Sequence, residues 1–243
     1  MLRPISIPGL FITATDTDVG KTVVTGAIAM ALRRRGFRVG VCKPAATGCR
    51  HDREGLISED AEMLAYCADT DVPLDIICPQ RFIEPLAPAV AAERAGRPID
   101  WQTIQRALDE ITSRCDVLLV EGVGGLMVPM DRKTLVRDMI GWLGLPSVVV
   151  ARPGLGTINH TLLTLAALRE AKLPIAGVVV NRYPAENASI AEETNLAAFE
   201  RWGKCPLLAV VPDEAFTPPQ LPDGILAPIG RVDWESLAWQ KQR

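Results

Sequence analysis

Six short runs rich in Val, Leu and Ile recur along the chain, each separated from the next by a longer amphipathic stretch. They are "LFITA" (10–14), "FRVGVCKP" (37–44), "DVLLVEG" (116–122), "SVVVAR" (147–152), "AGVVVNR" (176–182) and "PLLAVVP" (206–212). Near-continuous apolar character marks strands covered on both faces, as in a parallel sheet. The intervening stretches 21–35, 59–67, 101–114, 134–143, 158–171 and 188–202 read as helices. In 101–114, Ile104, Leu108 and Ile111 repeat at helical spacing, and Arg106, Asp109 and Glu110 are left for solvent. Strand, helix, strand repeated this way implies right-handed crossovers and an α/β fold, a doubly wound, mostly parallel sheet with helices on both faces. No linker or low-complexity stretch interrupts it, so residues 1–243 read as a single domain. The Pro-rich tail 216–230 reads as a loop across one edge of the sheet.

In such sheets ligands gather at the carboxyl ends of the strands. Here several runs end in polar or glycine-rich signatures: Thr13, Lys43, Glu121-Gly122, Arg152-Pro153-Gly154, Asn181 and Pro212-Asp213. The first run leads into "ATDTDVGKT" (14–22), whose Gly20-Lys21-Thr22 opens a helix. Free backbone N–H groups and the helix dipole attract phosphate oxygens there, and Gly20 lets the backbone come close. Lys21 would reach the terminal phosphates and the Thr22 hydroxyl would ligate Mg²⁺. The usual phosphate-loop pattern places glycine where this chain has Thr15. The partitioning and division-site ATPases carry a second lysine where this chain has Asp16, which weighs against a nucleotide-driven switch of that type. Asp16 and Asp18 are unfavourable beside phosphates unless a cation is near, and Asp18 alternatively accepts hydrogen bonds from an amine substrate.

Lys43 has two readings, a lysine snorkelling at a strand end or a second cation for a developing anion. Asp60, after Ser58, suits a helix N-terminus in any protein. Glu121 is harder to dismiss, because a carboxylate after an apolar strand needs cations or donors. Thr22, Asp60 and Glu121 together make an oxygen set suited to Mg²⁺. The following Gly122-Val123-Gly124-Gly125 is only a partial dinucleotide fingerprint and reads as a glycine loop against phosphate or substrate. Thr157 reads as the N-cap of a helix whose free N–H groups would hold a carboxylate. His160 reads as structural, and Asn181 as either a partner for an adenine edge or a cap on the next turn.

The ordered set "TDTDVGKT" (15–22), "CKPAATG" (42–48), "SEDAEML" (58–64), "LVEGVGGLMVP" (119–129), "GLGTINHTLLT" (154–164) and "AGVVVNR" (176–182) resembles dethiobiotin synthetase. The resemblance implies a P-loop NTPase-like fold and a Mg²⁺-dependent enzyme with ATP as co-substrate. It implies ring closure of 7,8-diaminononanoate with CO₂ to dethiobiotin, through a carbamate and its mixed anhydride with phosphate. Carried over by position, Lys21 and Lys43 become catalytic, and Thr22, Asp60 and Glu121 hold the metal. Asp18, Val19, Gly20, Lys21, Thr22, Val23, Asp60, Glu121, Gly122, Val123 and Gly124 then surround the nucleotide, with Asn181, Arg182, Pro212, Asp213 and Glu214 beside its base. Thr17, Asp18, Lys43 and Thr47 take the diamine end. Gly156, Thr157 and Asn159 take the substrate's carboxylate tail across a homodimer, the partner subunit completing the site. The chain departs from the family at Ala14, at Asp18, and in 84–89, where the usual Ser and His are missing. A related group, the corrin amidotransferase-like synthases, would need a glutaminase region with a nucleophilic Cys and His, for which no stretch remains.

The bulk composition agrees. A net charge of −3 offers no basic footprint for nucleic acid, and Arg33-Arg34-Arg35 before Gly36 suits a helix C-terminus. The six cysteines are scattered without a C-x-x-C pair, which speaks against a zinc site or a secreted disulfide framework and for a reduced cytoplasm. No apolar stretch approaches the roughly 20 residues that span a bilayer, and the proline-broken amino terminus does not read as a signal peptide.

Overall fold

The computed structural model describes residues 1–53 and 55–240. Of the span 1–243 taken above as one domain, Glu54 and residues 241–243 therefore lie outside the described residues. Strand β1 (Gly9–Ala14) runs through the loop 15–20 into α1 (Lys21–Arg34), and β2 (Val39–Cys42) follows. Short pieces come next: β3 (Ala45–Ala46), β4 (Arg50–Asp52), β5 (Gly55–Ile57), α2 (Glu59–Ala68), α3 (Leu74–Ile77), β6 (Gln80–Arg81) and α4 (Pro88–Arg94). Regular alternation resumes with α5 (Trp101–Thr112), β7 (Val117–Glu121), α6 (Val136–Leu143), β8 (Ser147–Ala151), α7 (Thr157–Glu170), β9 (Ile175–Tyr183), α8 (Ile190–Gly203) and β10 (Leu207–Pro212). Helices α9 (Asp223–Gly230) and α10 (Trp234–Ala238) complete it.

The main sheet has the order β10-β9-β8-β1-β7-β2 with every neighbour parallel. Every residue of β1, β2, β7 and β8 is buried, which is why these segments read as largely apolar runs, with Thr13, Glu121 and Ser147 the buried polar residues among them. From β1 the chain moves one way to β2 and β7 and later the other way through β8, β9 and β10, so the order reverses at β1. Right-handed crossovers in opposite directions put α1, packed on α2 and α9, on one face and α7, packed on α8, on the other. The carboxyl ends of β1, β2 and β7 thus meet at the switch point, where such sheets bind ligands.

The six expected strands and six expected helices are all present, with ends shifted by a few residues. The tail differs from the expectation: residues 223–230 form α9 rather than a loop. Ile225, Leu226 and Ile229 are buried against α1 and β10. That burial carries the helix despite Pro228, which removes a donor and crowds the preceding turn.

Candidate active site

The loop 15–20 ends at Gly20, which sits in the left-handed region (φ 86°, ψ 38°) and caps α1 without any side-chain hydrogen bond. The N-cap residue therefore offers no side-chain acceptor to the first-turn N–H groups of α1, which face the loop's concavity. Gly20 is required twice over. Besides its positive φ, a Cβ there would lie 2.1 Å from Nδ2 of Asn181. Asp18 also has a left-handed φ of 57°, a conformation that Asp tolerates better than most residues. Asp16 Oδ1 accepts from the N–H of Thr17 at 2.8 Å, so this carboxylate is spent on shaping the loop.

Lys21 is only 7% exposed. Burial pushes its pKa down to about 8, the Lys43 ammonium adds to that, and Glu121, Asp60 and Asp18 oppose it. Thr22 of α1, Lys43 just past β2, Asp60 of α2 and Glu121 at the end of β7 meet beneath this loop. Thr22 Oγ1 lies 2.9 Å from Asp60 Oδ1 and 2.8 Å from Glu121 Oε1. Lys43 Nζ lies 2.8 Å from Asp60 Oδ2 and 2.5 Å from Glu121 Oε1. Lys43 is therefore not a strand-end lysine reaching for solvent; it is buried, and so is Glu121. Burial disfavours its ammonium, but Glu121 and Asp60 outweigh burial and raise its pKa. Asp60 stands at the start of α2, whose cap is the Ser58 hydroxyl accepting from the N–H of Ala61. Burial raises its pKa, and Lys43, Thr22 and Lys21 reverse this to a net lowering.

The donor set fits Mg²⁺. Its atoms are all oxygens, the preference of a hard dication. The Thr22 hydroxyl has a single proton for two carboxylate oxygens, so one of its contacts lacks a donor. Glu121 Oε2 is buried and finds no hydrogen-bond partner among the described residues. Among the described residues no three His, Cys, Asp or Glu side chains cluster as a metal site, so the hydroxyl is needed to complete the set. Thiol chemistry is disfavoured: burial pushes Cys78 up to about 12 and Cys67 and Cys115 up to about 11.

A cleft of about 300 Å³ brings together Thr17, Asp18, Gly20, Lys21, Thr22, Val23, Lys43, Thr47, Asp60, Val123, Gly124 and Arg182. Ala46, which the sequence did not single out, lines it as well. Gly124 has φ 59°, and a Cβ there would meet Val128 Cγ2 at 2.7 Å. Val19 is buried under the loop, and Gly122 packs on Phe11. Asn181 is buried with its amide on the carbonyl of Val19 at 2.9 Å. Arg182, beside it, is exposed with a left-handed φ of 58°. Pro212 pairs with Tyr183, the N–H of Asp213 donates to the Tyr183 carbonyl, and Glu214 lies against Gly224. Residues 212–214 thus flank the end of β9.

A second cleft of about 430 Å³ shares Thr17 with the first and runs along Gly125–Pro129 to Leu163 and Thr164 of α7. At the start of α7 the cap is Gly156 (φ 90°), not Thr157 as expected. The Thr157 hydroxyl turns inward to the Arg152 carbonyl, and its N–H bonds the Gly154 carbonyl. Asn159 is exposed. In the altered segment 84–89, Glu84 is gripped by Arg94 through two hydrogen bonds, and its carbonyl accepts from the N–H of Gly48.

Comparison with known proteins bears on what this site does. A family model described as an AAA domain matches residues 8–219. The ATP-dependent dethiobiotin synthetase of Thermodesulfovibrio yellowstonii is 42% identical over 212 residues, 84% of this chain and 88% of that protein. That of Anaeromyxobacter dehalogenans is 42% identical over 207 residues, 85% of this chain and 90% of that protein. Among solved structures, the septum site-determining protein MinD of Pyrococcus horikoshii aligns with a TM-score of 0.53 at 20% identity, over 99% of this chain and 93% of that one. The MinC:MinD cell division complex of Aquifex aeolicus gives 0.55 at 18% identity, over 91% and 87%. At such identity the structural likeness concerns the fold alone, whereas the sequence likeness spans about 85% of the chain. The chain belongs to the ATP-dependent dethiobiotin synthetase family.

Proposed function

We propose that the protein condenses 7,8-diaminononanoate with CO₂ and closes the ureido ring of dethiobiotin, converting ATP to ADP and phosphate. The observation that carries this reading is the meeting of Lys21, Thr22, Lys43, Asp60 and Glu121 at the switch point of the sheet. One amine adds to CO₂ to give a carbamate, whose oxygen attacks the terminal phosphorus of ATP as ADP leaves. The second amine then attacks the carbonyl carbon of the mixed anhydride and expels phosphate. Carbamate and triphosphate are both anions, so their approach depends on cations held in place. Lys21 reaches the phosphates from the start of α1, and Lys43 faces the carbamate. Thr22, Asp60 and Glu121 would hold Mg²⁺, which when bound supplies charge neutralisation at phosphate oxygens.

Thr17, Asp18 and Thr47 line the same cleft and would receive the diamine, with the Asp18 carboxylate as acceptor. Asn181, Arg182 and residues 212–214 would flank the base. The start of α7 leaves the N–H groups of Ile158 and Asn159 outside the intrahelical ladder, where they would hold the substrate's carboxylate. A homodimer is favoured by the exposed Met127, Leu155 and Leu163, which sit on or next to the second cleft and the start of α7. We take residues 1–243 as one unit acting in the cytoplasm. Among the described residues no helix is long and apolar enough to cross a membrane.

The test is phosphate release from ATP with and without diaminononanoate and bicarbonate. Release that needs both substrates supports the ligase. Release indifferent to both would overturn it and favour a nucleotide-driven switch.

A further inference from the structure

A buried carboxylate such as Glu121 needs cations or hydrogen-bond donors, and the structure shows which cation it has. Lys43 Nζ contacts Glu121 Oε1 at 2.5 Å and Asp60 Oδ2 at 2.8 Å. These are the same two side chains that, with Thr22, form the oxygen set described above. The Lys43 main chain is fixed, its N–H bonded to the Ile77 carbonyl at 2.8 Å. Its side chain is 4% exposed, yet it borders the cleft that would hold the anionic substrates. An ammonium and a dication cannot both keep Glu121 Oε1 and Asp60 without strong mutual repulsion. An ammonium bound to two carboxylates also has little charge to offer a carbamate.

We propose that Lys43 is a resident stand-in cation, held on Glu121 and Asp60 until the divalent metal takes those carboxylates, and only then freed toward the carbamate. This rests on the reading of Thr22, Asp60 and Glu121 as the Mg²⁺ set. It couples the two loads of the site: the nucleotide's metal must enter before the second lysine can serve the acceptor, so an unloaded site does not clamp the carbamate. Lys43 lines that cleft beside Asp60, so a turn of its side chain alone serves the exchange.

The first measurement is Mn²⁺ binding to the full chain without nucleotide, followed by electron paramagnetic resonance. Removing the competing ammonium in Lys43→Met is expected to tighten this binding by about tenfold or more, whereas Lys43→Arg, which keeps the cation, leaves it weak. Binding in Lys43→Met no tighter than in the parent protein would overturn the proposal. Asp60→Asn separates the two layers. If it holds Mn²⁺ with ADP as well as the parent does, the metal reading itself fails; if it loses the ion while Lys43→Met gains nothing, only the exchange fails. The second measurement needs no variant. Acetylation of Lys43 by acetic anhydride, read by mass spectrometry, is expected to rise several-fold when ADP and Mg²⁺ replace ADP and EDTA. An unchanged rate would overturn the exchange whether or not Lys43→Met folds.

Discussion

The side-chain amide of Asn181 donates to the main-chain carbonyl of Val19 at 2.9 Å, tying the end of β9 to the loop that precedes α1. The two residues are 162 positions apart, so this bond fixes the phosphate loop against a strand formed late in the chain. Removing it leaves a buried carbonyl unpaired and the loop free to shift. In Asn181→Ala we expect kcat/KM for ATP to fall about ten- to a hundredfold. Affinity for inorganic tripolyphosphate should fall with it, because a displaced loop weakens the phosphate grip itself. If tripolyphosphate binds as before and only nucleotide is lost, Asn181 acts on the base rather than on the loop.

Gly20→Ala brings a Cβ to 2.1 Å from Asn181 Nδ2 at a residue with φ 86°. We expect nucleotide binding to be lost and stability to fall by about 1–3 kcal/mol from strain and overpacking. Part of that cost belongs to the contact with Asn181, so the double variant Gly20→Ala/Asn181→Ala should be more stable than the sum of the single effects. Chemical denaturation of the four proteins of the cycle measures this directly. Strict additivity would show that the backbone conformation alone is responsible.

Lys21 is held in a setting that disfavours its charge, with burial the larger cause and Lys43 the second. Function and stability should therefore part company in Lys21→Ala. Turnover is expected to drop by about 10²–10³, the usual scale for losing one preorganised charge donor. Thermal stability should hold or rise, since a disfavoured ammonium has been removed. A marked fall in melting temperature would mean that Lys21 serves chiefly as a counter-ion to Glu121 and Asp60.

Asp131 offers a check away from the cleft. Its carboxylate accepts from the indole N–H of Trp101 at 2.7 Å and from the N–H groups of Lys133 and Thr134 at 2.8 Å each. Burial raises its pKa, but these donors prevail and hold it below the usual Asp value. Asp131→Ala should cost about 1–3 kcal/mol near neutral pH by urea denaturation. A carboxyl whose folded pKa is depressed stabilises the fold above its unfolded pKa and loses that contribution as pH falls through the folded value. The gap between the two proteins should therefore narrow below about pH 4. A gap independent of pH would point to lost packing around the edge-on Trp101–Trp142 pair instead.

The fold was legible because parallel strands buried on both faces leave short apolar runs rich in Val, Leu and Ile between longer helical stretches, as in Val117–Val120 or Val148–Ala151. Its short pieces were not. Strands β3 and β6 pair Ala45 with Gln80, two residues each, with no periodicity to announce them. Helix α9 was hidden by Pro228, and only its packing against α1 reveals it. Within the candidate site, spacing singled out Lys21 and Thr22, and burial logic singled out Glu121. What sequence could not give was pairing. Lys43 and Glu121 are 78 residues apart, and nothing local says that the ammonium rests on the carboxylate. Thr157 was misread as a cap because a hydroxyl residue before a helix is the stronger statistical signal, while Gly156 takes the left-handed position that the chain reversal needs.

The second cleft supplies the last prediction. Leu163, on α7, is 61% exposed, and Met127, across the cleft, is 52% exposed. Leaving both in water is unfavourable, and a second copy of the chain laid on this face would cover them. Leu163→Asp places a charge on that face at a residue that does not line the first cleft. We expect light scattering to show a dimer for the parent protein and a monomer for the variant. KM for diaminononanoate should rise by about tenfold or more while the affinity for ATP alone stays within about twofold, since in the proposed homodimer the partner subunit would meet the diamine and not the nucleotide. A variant that remains dimeric would remove α7 from the interface. A monomer with unchanged KM for the diamine would leave the site complete within one chain.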